Sequence, residues 1–256
     1  MIFHTSSHND FPAGRKQFFY RSVLILALVL ALMIISCDFS RTKLDASDPV
    51  PVTYWWERHA AIVNELAGYD ESVDGAIDIL FIGDSLTQMW ETDGIDEWNL
   101  LKADYNIYNL GFPGDTTGHV IYRLYSGEFP DCIKPRFVVL LIGTNNIGFG
   151  YPVESSAKAI GDIIGIIHRK SKNTTIILMP VLPREDIPVE CRRKILDLND
   201  AIKPYENLAY VVWFDLASHF TNAAGGIKME LFDHSKLHLS PLGYKLWREE
   251  LVKLLV

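Results

Sequence analysis

Short apolar runs recur along the chain from residue 77 onwards and are separated by segments of different periodicity. The first run, Ile77–Ile82, is too short for a helix and rich in β-branched residues, so it predicts a buried strand. Phe137–Ile142 is continuously apolar, as expected for a strand that is buried on both faces. Three further runs complete a set of five predicted strands: Tyr105–Leu110, Thr175–Met179 and Ala209–Phe214.

Several other segments have apolar residues at three- and four-residue spacing, which predicts amphipathic helices. The predicted helices are Tyr54–Leu66, Val120–Tyr125, Val153–His168, Cys191–Tyr205 and Pro241–Leu255. Strands that alternate with helices indicate a parallel sheet with helices on both of its faces. We therefore predict an α/β fold for residues 54–256, a flavodoxin-like three-layer α/β/α sandwich with a five-stranded parallel sheet.

The first 53 residues have a different pattern, which predicts export. Val23–Ile35 is an apolar run of thirteen residues that follows several basic residues. It is shorter than the roughly twenty residues a spanning helix needs, and typical of a signal peptide. The run ends in Ile34–Cys37, which resembles a bacterial lipobox, so residues 1–37 are predicted to be a lipoprotein signal peptide with Cys37 as the lipidated residue. An ordinary signal peptide and an uncleaved anchor are the alternatives.

The polar segment 38–53 has no apolar period and is predicted to be a tether between the lipid and the folded domain. The expected location is therefore outside the cytoplasm, in the periplasm or at the cell surface, with membrane attachment through Cys37.

Candidate chemistry follows the predicted strands. Gly83, Asp84 and Ser85 end the first strand, and a glycine-rich turn at Asn109–Thr117 follows the second. The third strand ends in GTNN at positions 143–146, and LHLSPLGY at positions 237–244 leads into the last helix. Ligands of open α/β sheets bind outside the carboxyl ends of the strands, so these four blocks are expected to share one crevice. Taken alone, the first block also fits an ordinary turn in which Ser85 caps a helix.

The four blocks, in this order, resemble the SGNH or GDSL hydrolase superfamily, most of all the platelet-activating-factor acetylhydrolase Ib catalytic subunits and their bacterial relatives. The resemblance covers the chain from about Trp55 to the C-terminus. It implies a serine esterase that cleaves small acyl esters, acetyl foremost, of a carbohydrate or a lipid through an acyl-serine intermediate. It implies no cofactor and no metal.

The resemblance also assigns roles to individual residues. Ser85 is the expected nucleophile, and His238 the base that takes its proton and later returns it. The expected oxyanion hole consists of the backbone N–H groups of Ser85 and Gly114 and the side-chain amide of Asn145. Asn146 is the adjacent alternative to Asn145.

One position departs from the superfamily pattern. Relatives place an aspartate three residues before the histidine, where this chain has Ser235. Asp233 lies five residues before His238, and a turn could return its carboxylate to the ring. Ser235 itself or a backbone carbonyl could instead accept the imidazole N–H, and Asp215 at the end of the fifth strand is a third possibility.

Composition narrows the functional classes. The formal net charge is −8, and no Lys/Arg-rich run longer than the three residues Arg192–Lys194 is present, which disfavours a nucleic-acid partner. The sequence has no G-x-S-x-G elbow, no Walker loop and no G-x-G-x-x-G fingerprint. Four histidines lack metal-ligand spacing: His119, His168, His219 and His234. Cys132 and Cys191 could pair in an oxidising compartment, although two cysteines define no disulfide framework.

Two other functions remain open at this level. A lysophospholipase or thioesterase would use the same residues. A non-catalytic lipoprotein that binds esters or glycans would have kept the pocket and lost the triad, and Ser235 at the acid position motivates this second alternative. Trp90 and Trp98 could line a substrate pocket, but core packing is the commoner use of such aromatic residues.

Overall fold

A parallel five-stranded sheet forms the centre of the protein, as the apolar runs predicted. The computed structural model describes residues 45–51 and 53–255. The strands are β1 (Ile79–Gly83), β2 (Ile107–Gly111), β3 (Phe137–Leu141), β4 (Thr175–Leu178) and β5 (Val211–Trp213).

Helices connect the strands and continue to the C-terminus. The α-helices are α1 (Trp56–Ala67), α2 (Glu71–Asp74), α3 (Ser85–Gln88), α4 (Ile95–Asp104), α5 (Thr117–Tyr125), α6 (Thr144–Gly148), α7 (Val153–Lys170), α8 (Val189–Ile202), α9 (Ala217–Phe220) and α10 (Pro241–Leu251). Short 3₁₀ turns cover Met89–Glu91, Lys203–Asn207, Met229–Leu231 and Val252–Leu254. The predicted last helix thus ends as an α-helix at Leu251 and continues as a 3₁₀ turn.

The strand order β2-β1-β3-β4-β5 places the first strand between the second and the third. In the register, Gly83 at the end of β1 pairs with Gly111 of β2 and with Leu141 of β3. The carboxyl ends of these three strands are therefore level, and the turns that follow them emerge at one edge of the sheet. The order reverses at β1, and such a switch point is where doubly wound sheets bind ligands.

Side chains alternate between the two faces of the sheet and enter two separate cores. Leu80 and Ile82 of β1 belong to one core, whereas Ile79 and Phe81 belong to the other. Trp90 and Trp98 are buried in the second core, where Trp90 packs against Trp247 at 5.1 Å between ring centroids. Core packing is thus the main use of both tryptophans.

The last residue of β2 permits a very close approach of the next layer. A Cβ atom on Gly111 would lie 2.2 Å from the backbone nitrogen of Gln88, the last residue of α3. A side chain at position 111 would therefore push α3 away from the sheet, and Ser85 is the first residue of that helix.

The prediction of a tether disagrees with the structure at residues 45–51. Ala46 is 1% exposed, and its carbonyl accepts a hydrogen bond from Oγ1 of Thr117 at 2.8 Å. The N–H of Val50 donates to the carbonyl of Gly118 at 3.1 Å. The folded unit therefore begins at Asp45 and not at Tyr54. The polar sequence suggested that the backbone of this segment would be hydrated, but residues of α5 supply hydrogen-bond partners for it.

The predicted signal peptide, the lipidated Cys37 and residues 38–44 of the tether lie outside the described residues and stay predictions. Within residues 45–51 and 53–255, no helix combines the length and apolar character needed to cross a membrane. In the same part of the chain, the thiols of Cys132 and Cys191 are both free.

Candidate active site

A serine and a histidine that lie 153 positions apart meet at the carboxyl edge of the sheet. Oγ of Ser85 lies 3.0 Å from Nε2 of His238, which is hydrogen-bond distance. Ser85 is 8% exposed, so the residue is largely shielded from solvent. A neutral imidazole that accepts the serine proton on Nε2 carries its own proton on Nδ1.

Asp84, and not Ser85, caps the helix that carries the serine. Oδ1 of Asp84 accepts the N–H of Leu86 at 3.0 Å. The alternative in which Ser85 is an ordinary N-cap is therefore wrong, and the serine hydroxyl is free to face His238. Burial, opposed by the Leu86 bond and helped by the charge of Asp115, raises the pKa of Asp84 to about 7.

The turn after β2 has the properties expected of an oxyanion hole. Gly114 has a φ of +80°, in the left-handed region that glycine adopts without strain. Within the described residues, the backbone N–H groups of Ser85 and Gly114 donate to no other group. Both donors are thus available to a substrate oxygen.

Asn145 and Asn146 have different surroundings, which separates their functions. Nδ2 of Asn145 donates to the carbonyl of Asp115 at 2.9 Å, so this half-buried side chain lies against the Gly114 turn. Asn146 is fully buried; it donates to Oγ1 of Thr117 and accepts the N–H of the same residue. Asn146 therefore uses its side chain to bind the first residue of α5, whereas the side chain of Asn145 lies beside the Gly114 turn.

In the loop before α10, the carboxylate of Asp233 bonds to Ser235 and not to the imidazole ring. The same carboxylate accepts the N–H of Ser235 at 2.8 Å and also the Ser235 hydroxyl. Oγ of Ser235 in turn accepts the backbone N–H of His238 at 3.1 Å. In the described part of the chain, Nδ1 of His238 has no hydrogen-bond partner, so the orienting role of Asp233 stays a prediction that this loop conformation does not show.

The other groups considered as orienters also leave the ring free. Asp215 is exposed, and its carboxylate accepts the N–H of Ser218 instead. Ser235 contacts the backbone of His238 and not the imidazole. Neither Asp215 nor Ser235 therefore bonds to Nδ1 of His238 in this conformation.

Buried Arg184 and exposed Asp186 form an ion pair beside the site that the sequence analysis missed. Arg184 donates to the hydroxyl and the carbonyl of Thr144, the residue before Asn145, and pairs with the carboxylate of Asp186. Burial raises the pKa of Asp186, but the bonds from Arg184 and the charge of His238 outweigh it and lower the pKa overall. The pair follows Pro183 in a segment without periodicity, so no sequence pattern marked it.

Two exposed aromatic side chains flank the Gly114 turn and were also missed as site residues. Nε1–H of Trp55 donates to the carbonyl of Pro113 at 3.0 Å. A Cβ atom on Gly114 would lie 2.8 Å from the hydroxyl oxygen of Tyr54. Tyr54 is 58% exposed and Trp55 36%, so both rings remain accessible next to the turn.

The described residues contain no cluster of metal-binding side chains. No group of three or more histidine, cysteine, aspartate or glutamate side chains there is arranged to hold a metal ion.

A doubly wound parallel sheet with a serine–histidine pair at its switch point defines a serine hydrolase of the three-layer α/β/α type. Residues 81–246 match the model of the GDSL-like lipase/acylhydrolase family. The rat platelet-activating factor acetylhydrolase IB subunit alpha2 is 35% identical over 169 residues, which cover 65% of this chain and 71% of that protein. The chain belongs to the GDSL-like lipase/acylhydrolase family, as its motifs predicted, and is a serine ester hydrolase.

Solved structures share the fold at lower sequence identity. A GDSL-like lipase from Bacteroides thetaiotaomicron superposes with a TM-score of 0.65 at 18% identity and covers 78% of this chain and 96% of its own. A catalytic mutant of an acetylxylan esterase from Geobacillus stearothermophilus gives a TM-score of 0.58 at 18% identity and covers 70% and 94%. The α/β fold with a five-stranded parallel sheet is thus confirmed.

Proposed function

We propose that the protein hydrolyses short acyl esters, acetyl esters foremost, through an acyl-serine intermediate. The observation that carries this proposal is the 3.0 Å distance between Oγ of Ser85 and Nε2 of His238. A serine hydroxyl reacts slowly at neutral pH unless a base within hydrogen-bond distance takes its proton, and His238 is such a base.

The reaction has two halves that use the same groups. His238 accepts the Ser85 proton as Oγ attacks the ester carbonyl, and the negative oxygen is held by the N–H groups of Ser85 and Gly114 and the amide of Asn145. The imidazolium then gives its proton to the departing alcohol, which leaves an acyl-serine. Water, deprotonated by His238, attacks this ester in turn and releases the carboxylic acid and the free serine.

We favour an acetylated carbohydrate as the substrate. The names of two similar proteins, an acetylhydrolase and an acetylxylan esterase, support an acetyl group. The exposed rings of Tyr54 and Trp55 beside the Gly114 turn support a sugar as the alcohol, since aromatic faces with polar tips suit its amphipathic surface. Burial and the charge of Asp115 raise the pKa of Tyr54, so its hydroxyl stays protonated and can donate.

An assay with p-nitrophenyl acetate tests the central claim. The wild-type chain is compared with Ser85→Ala, which removes only the nucleophilic oxygen, and with Asn145→Ala. We expect no turnover above background for the first variant and a loss of about 10²–10³ in kcat for the second, as when one oxyanion donor is removed from a serine hydrolase.

Further substrates separate the alternatives. Faster cleavage of acetylated xylooligosaccharides than of long-chain p-nitrophenyl esters supports the carbohydrate substrate, whereas the reverse order supports a lysophospholipase or thioesterase. Wild-type activity no higher than that of Ser85→Ala would contradict catalysis and favour a non-catalytic binder of esters or glycans.

A further inference from the structure

Four ionisable side chains form a buried cluster behind the Gly114 turn, and the reaction described above uses none of them. His59 comes from α1, Asp115 follows Gly114, Arg123 lies on α5 and Glu128 follows that helix. Each of the four is at most 3% exposed. We call this group the ion cluster.

Hydrogen bonds and ion pairs join the members of the ion cluster one after another, from His59 on α1 to Asp115 in the turn. Nδ1 of His59 lies 2.6 Å from Oε1 of Glu128, and Nη1 of Arg123 pairs with Oε2 of the same carboxylate. Arg123 continues the chain through Nε and Nη2, which lie 2.9 and 2.7 Å from Oδ2 of Asp115. Nη2 of Arg123 also donates to the carbonyl of Leu110, the residue before the end of β2.

The last member of the ion cluster connects directly to the oxyanion groups. Asp115 is the residue after Gly114, and its backbone carbonyl accepts the side-chain amide of Asn145. The Asp115 N–H donates to the carbonyl of Phe112, which closes the turn. The side chain of Asp115 is therefore fixed by Arg123, while its backbone holds the Asn145 amide that the proposed reaction uses as an oxyanion donor.

Such a cluster contributes little to the net stability of a fold. Buried ion pairs contribute little net stability, because removing charges from water offsets most of their attraction, and apolar residues of the same volume often do as well. They do impose a defined geometry on the groups they connect. Placement of an oxyanion hole requires such geometry, since a misplacement of about 1 Å can cost about 10²-fold in rate.

We propose that the ion cluster positions the Gly114 N–H and the Asn145 amide, so that His59, Arg123, Glu128 and Asp115 are positioning residues of the esterase. This inference rests on the proposed function. Each cluster residue acts through the turn and touches no reacting atom. The contact from His59 makes α1 part of the arrangement, although α1 lies outside the segment 81–246 that matches the family.

The test is a double-mutant cycle between Glu128→Gln and Asn145→Ala. Glu128→Gln keeps the side-chain volume but removes the charge that pairs with Arg123. We expect kcat for p-nitrophenyl acetate to fall about 10- to 100-fold with KM changed less than about threefold. In the Asn145→Ala background, the same substitution should reduce kcat by a clearly smaller factor than in the wild-type chain, because one of the two donors that the cluster positions is already absent.

Two substitutions at His59 provide a milder test, because they leave the charges of Asp115, Arg123 and Glu128 in place. His59→Asn keeps an N–H near the position of Nδ1, whereas His59→Phe keeps the ring and loses the donor. We expect His59→Phe to lower kcat and His59→Asn to restore most of it. If Glu128→Gln does not fold, this pair decides the question.

Ile163→Ala serves as the control for a general loss of stability. Ile163 is buried on α7, in the hydrophobic core that also contains apolar residues of α5. It should lower the melting temperature without coupling to Asn145→Ala. Losses of Glu128→Gln and Asn145→Ala that multiply fully, or equal kcat values for the two His59 variants, would overturn the positioning role in an active enzyme. An inactive wild-type chain would overturn the proposed function, and this inference with it.

Discussion

Asp84 combines two properties that conflict at neutral pH. Its carboxylate caps the helix of the nucleophile, yet the side chain is fully buried, and Oδ2 has no hydrogen-bond partner within the described residues. Burial therefore raises its pKa to about 7 in the folded state, compared with about 4 in an unfolded chain. Between these pH values the folded protein binds a proton that the unfolded chain has released. Linkage then requires the free energy of unfolding to fall as the pH rises from about 4 to about 7.

Asp84→Asn should remove much of this dependence. The amide oxygen can still accept the Leu86 N–H, and the uncharged side chain avoids the cost of ionisation, which is on the order of 4 kcal/mol at pH 8 as an upper bound. We expect a higher free energy of unfolding at pH 8 and a smaller difference between pH 5 and pH 8, measured by denaturant unfolding. The exposed Asp96→Asn is the matched control. An unchanged pH dependence in Asp84→Asn would contradict the assignment.

Individual residues of the site could be predicted to different degrees. Ser85 and His238 were predictable because both sit in motifs at strand and helix ends, and the structure brings them to bonding distance. The surroundings of Asp233 were not, because hydrogen bonds between its carboxylate and Ser235 depend on the loop conformation and leave no periodic signal. Arg123 was missed although Asp115 and Glu128 are only eight and five positions away, because both partners lie outside its helix and no periodic pattern relates them to it.

The loop between Phe232 and Leu239 is the least conventional element of the site. An antiparallel bridge joins its two ends, and Lys236 at its centre has a φ of +59°, which is uncommon for a residue other than glycine. The Asp233 N–H donates to the carbonyl of His238 at 2.9 Å across the loop, and the Asp233 carboxylate accepts the N–H and the hydroxyl of Ser235 within it. The histidine is thereby positioned from its backbone side, and its ring has only Ser85 as a hydrogen-bond partner among the described residues.

Substitutions in this loop should show which group stabilises the imidazolium. We expect Asp233→Asn to lower kcat more than tenfold, and at most about 10⁴-fold, because only a carboxylate balances the charge that forms on His238. Ser235→Ala should lower kcat less, since it removes no charge. The measurement is kcat for p-nitrophenyl acetate. A loss confined to Asp186→Asn would assign the charge to the pair with Arg184, and no loss in any of the three variants would refute a carboxylate partner.

On the scale of the whole molecule, the alternation of apolar runs and amphipathic segments was enough to predict the sheet and its strands. A parallel sheet requires crossover helices, so the sequence order strongly restricts the topology. The beginning of the folded unit was not predictable in this way. Residues 45–51 contain few apolar side chains, and their contacts with α5 are made largely by backbone groups, which have no signature in side-chain hydrophobicity.

Ala46→Glu tests whether this segment stabilises the fold. A carboxylate in place of a methyl group that is 1% exposed should cost at least about 1 kcal/mol, which lowers the melting temperature by about 2–4 °C in a protein of this size. Pro49→Glu adds the same charge at an exposed position of the segment and should have little effect. Equal melting temperatures for the two variants would show that residues 45–51 contribute nothing to stability.

The aromatic core that joins Trp90 to Tyr244 and Trp247 has a consequence for biosynthesis. The rings of Trp90 and Tyr244 lie 5.0 Å apart, and the Tyr244 hydroxyl donates to the carbonyl of Leu86 beside the nucleophile. At a ribosomal rate of 5–20 residues per second, roughly 8–30 seconds separate the synthesis of Trp90 from that of Trp247. During that interval the Trp90 indole lacks the two partners that the last helix supplies in the folded protein, Tyr244 and Trp247. The nucleophile helix acquires its final support only when translation is nearly complete.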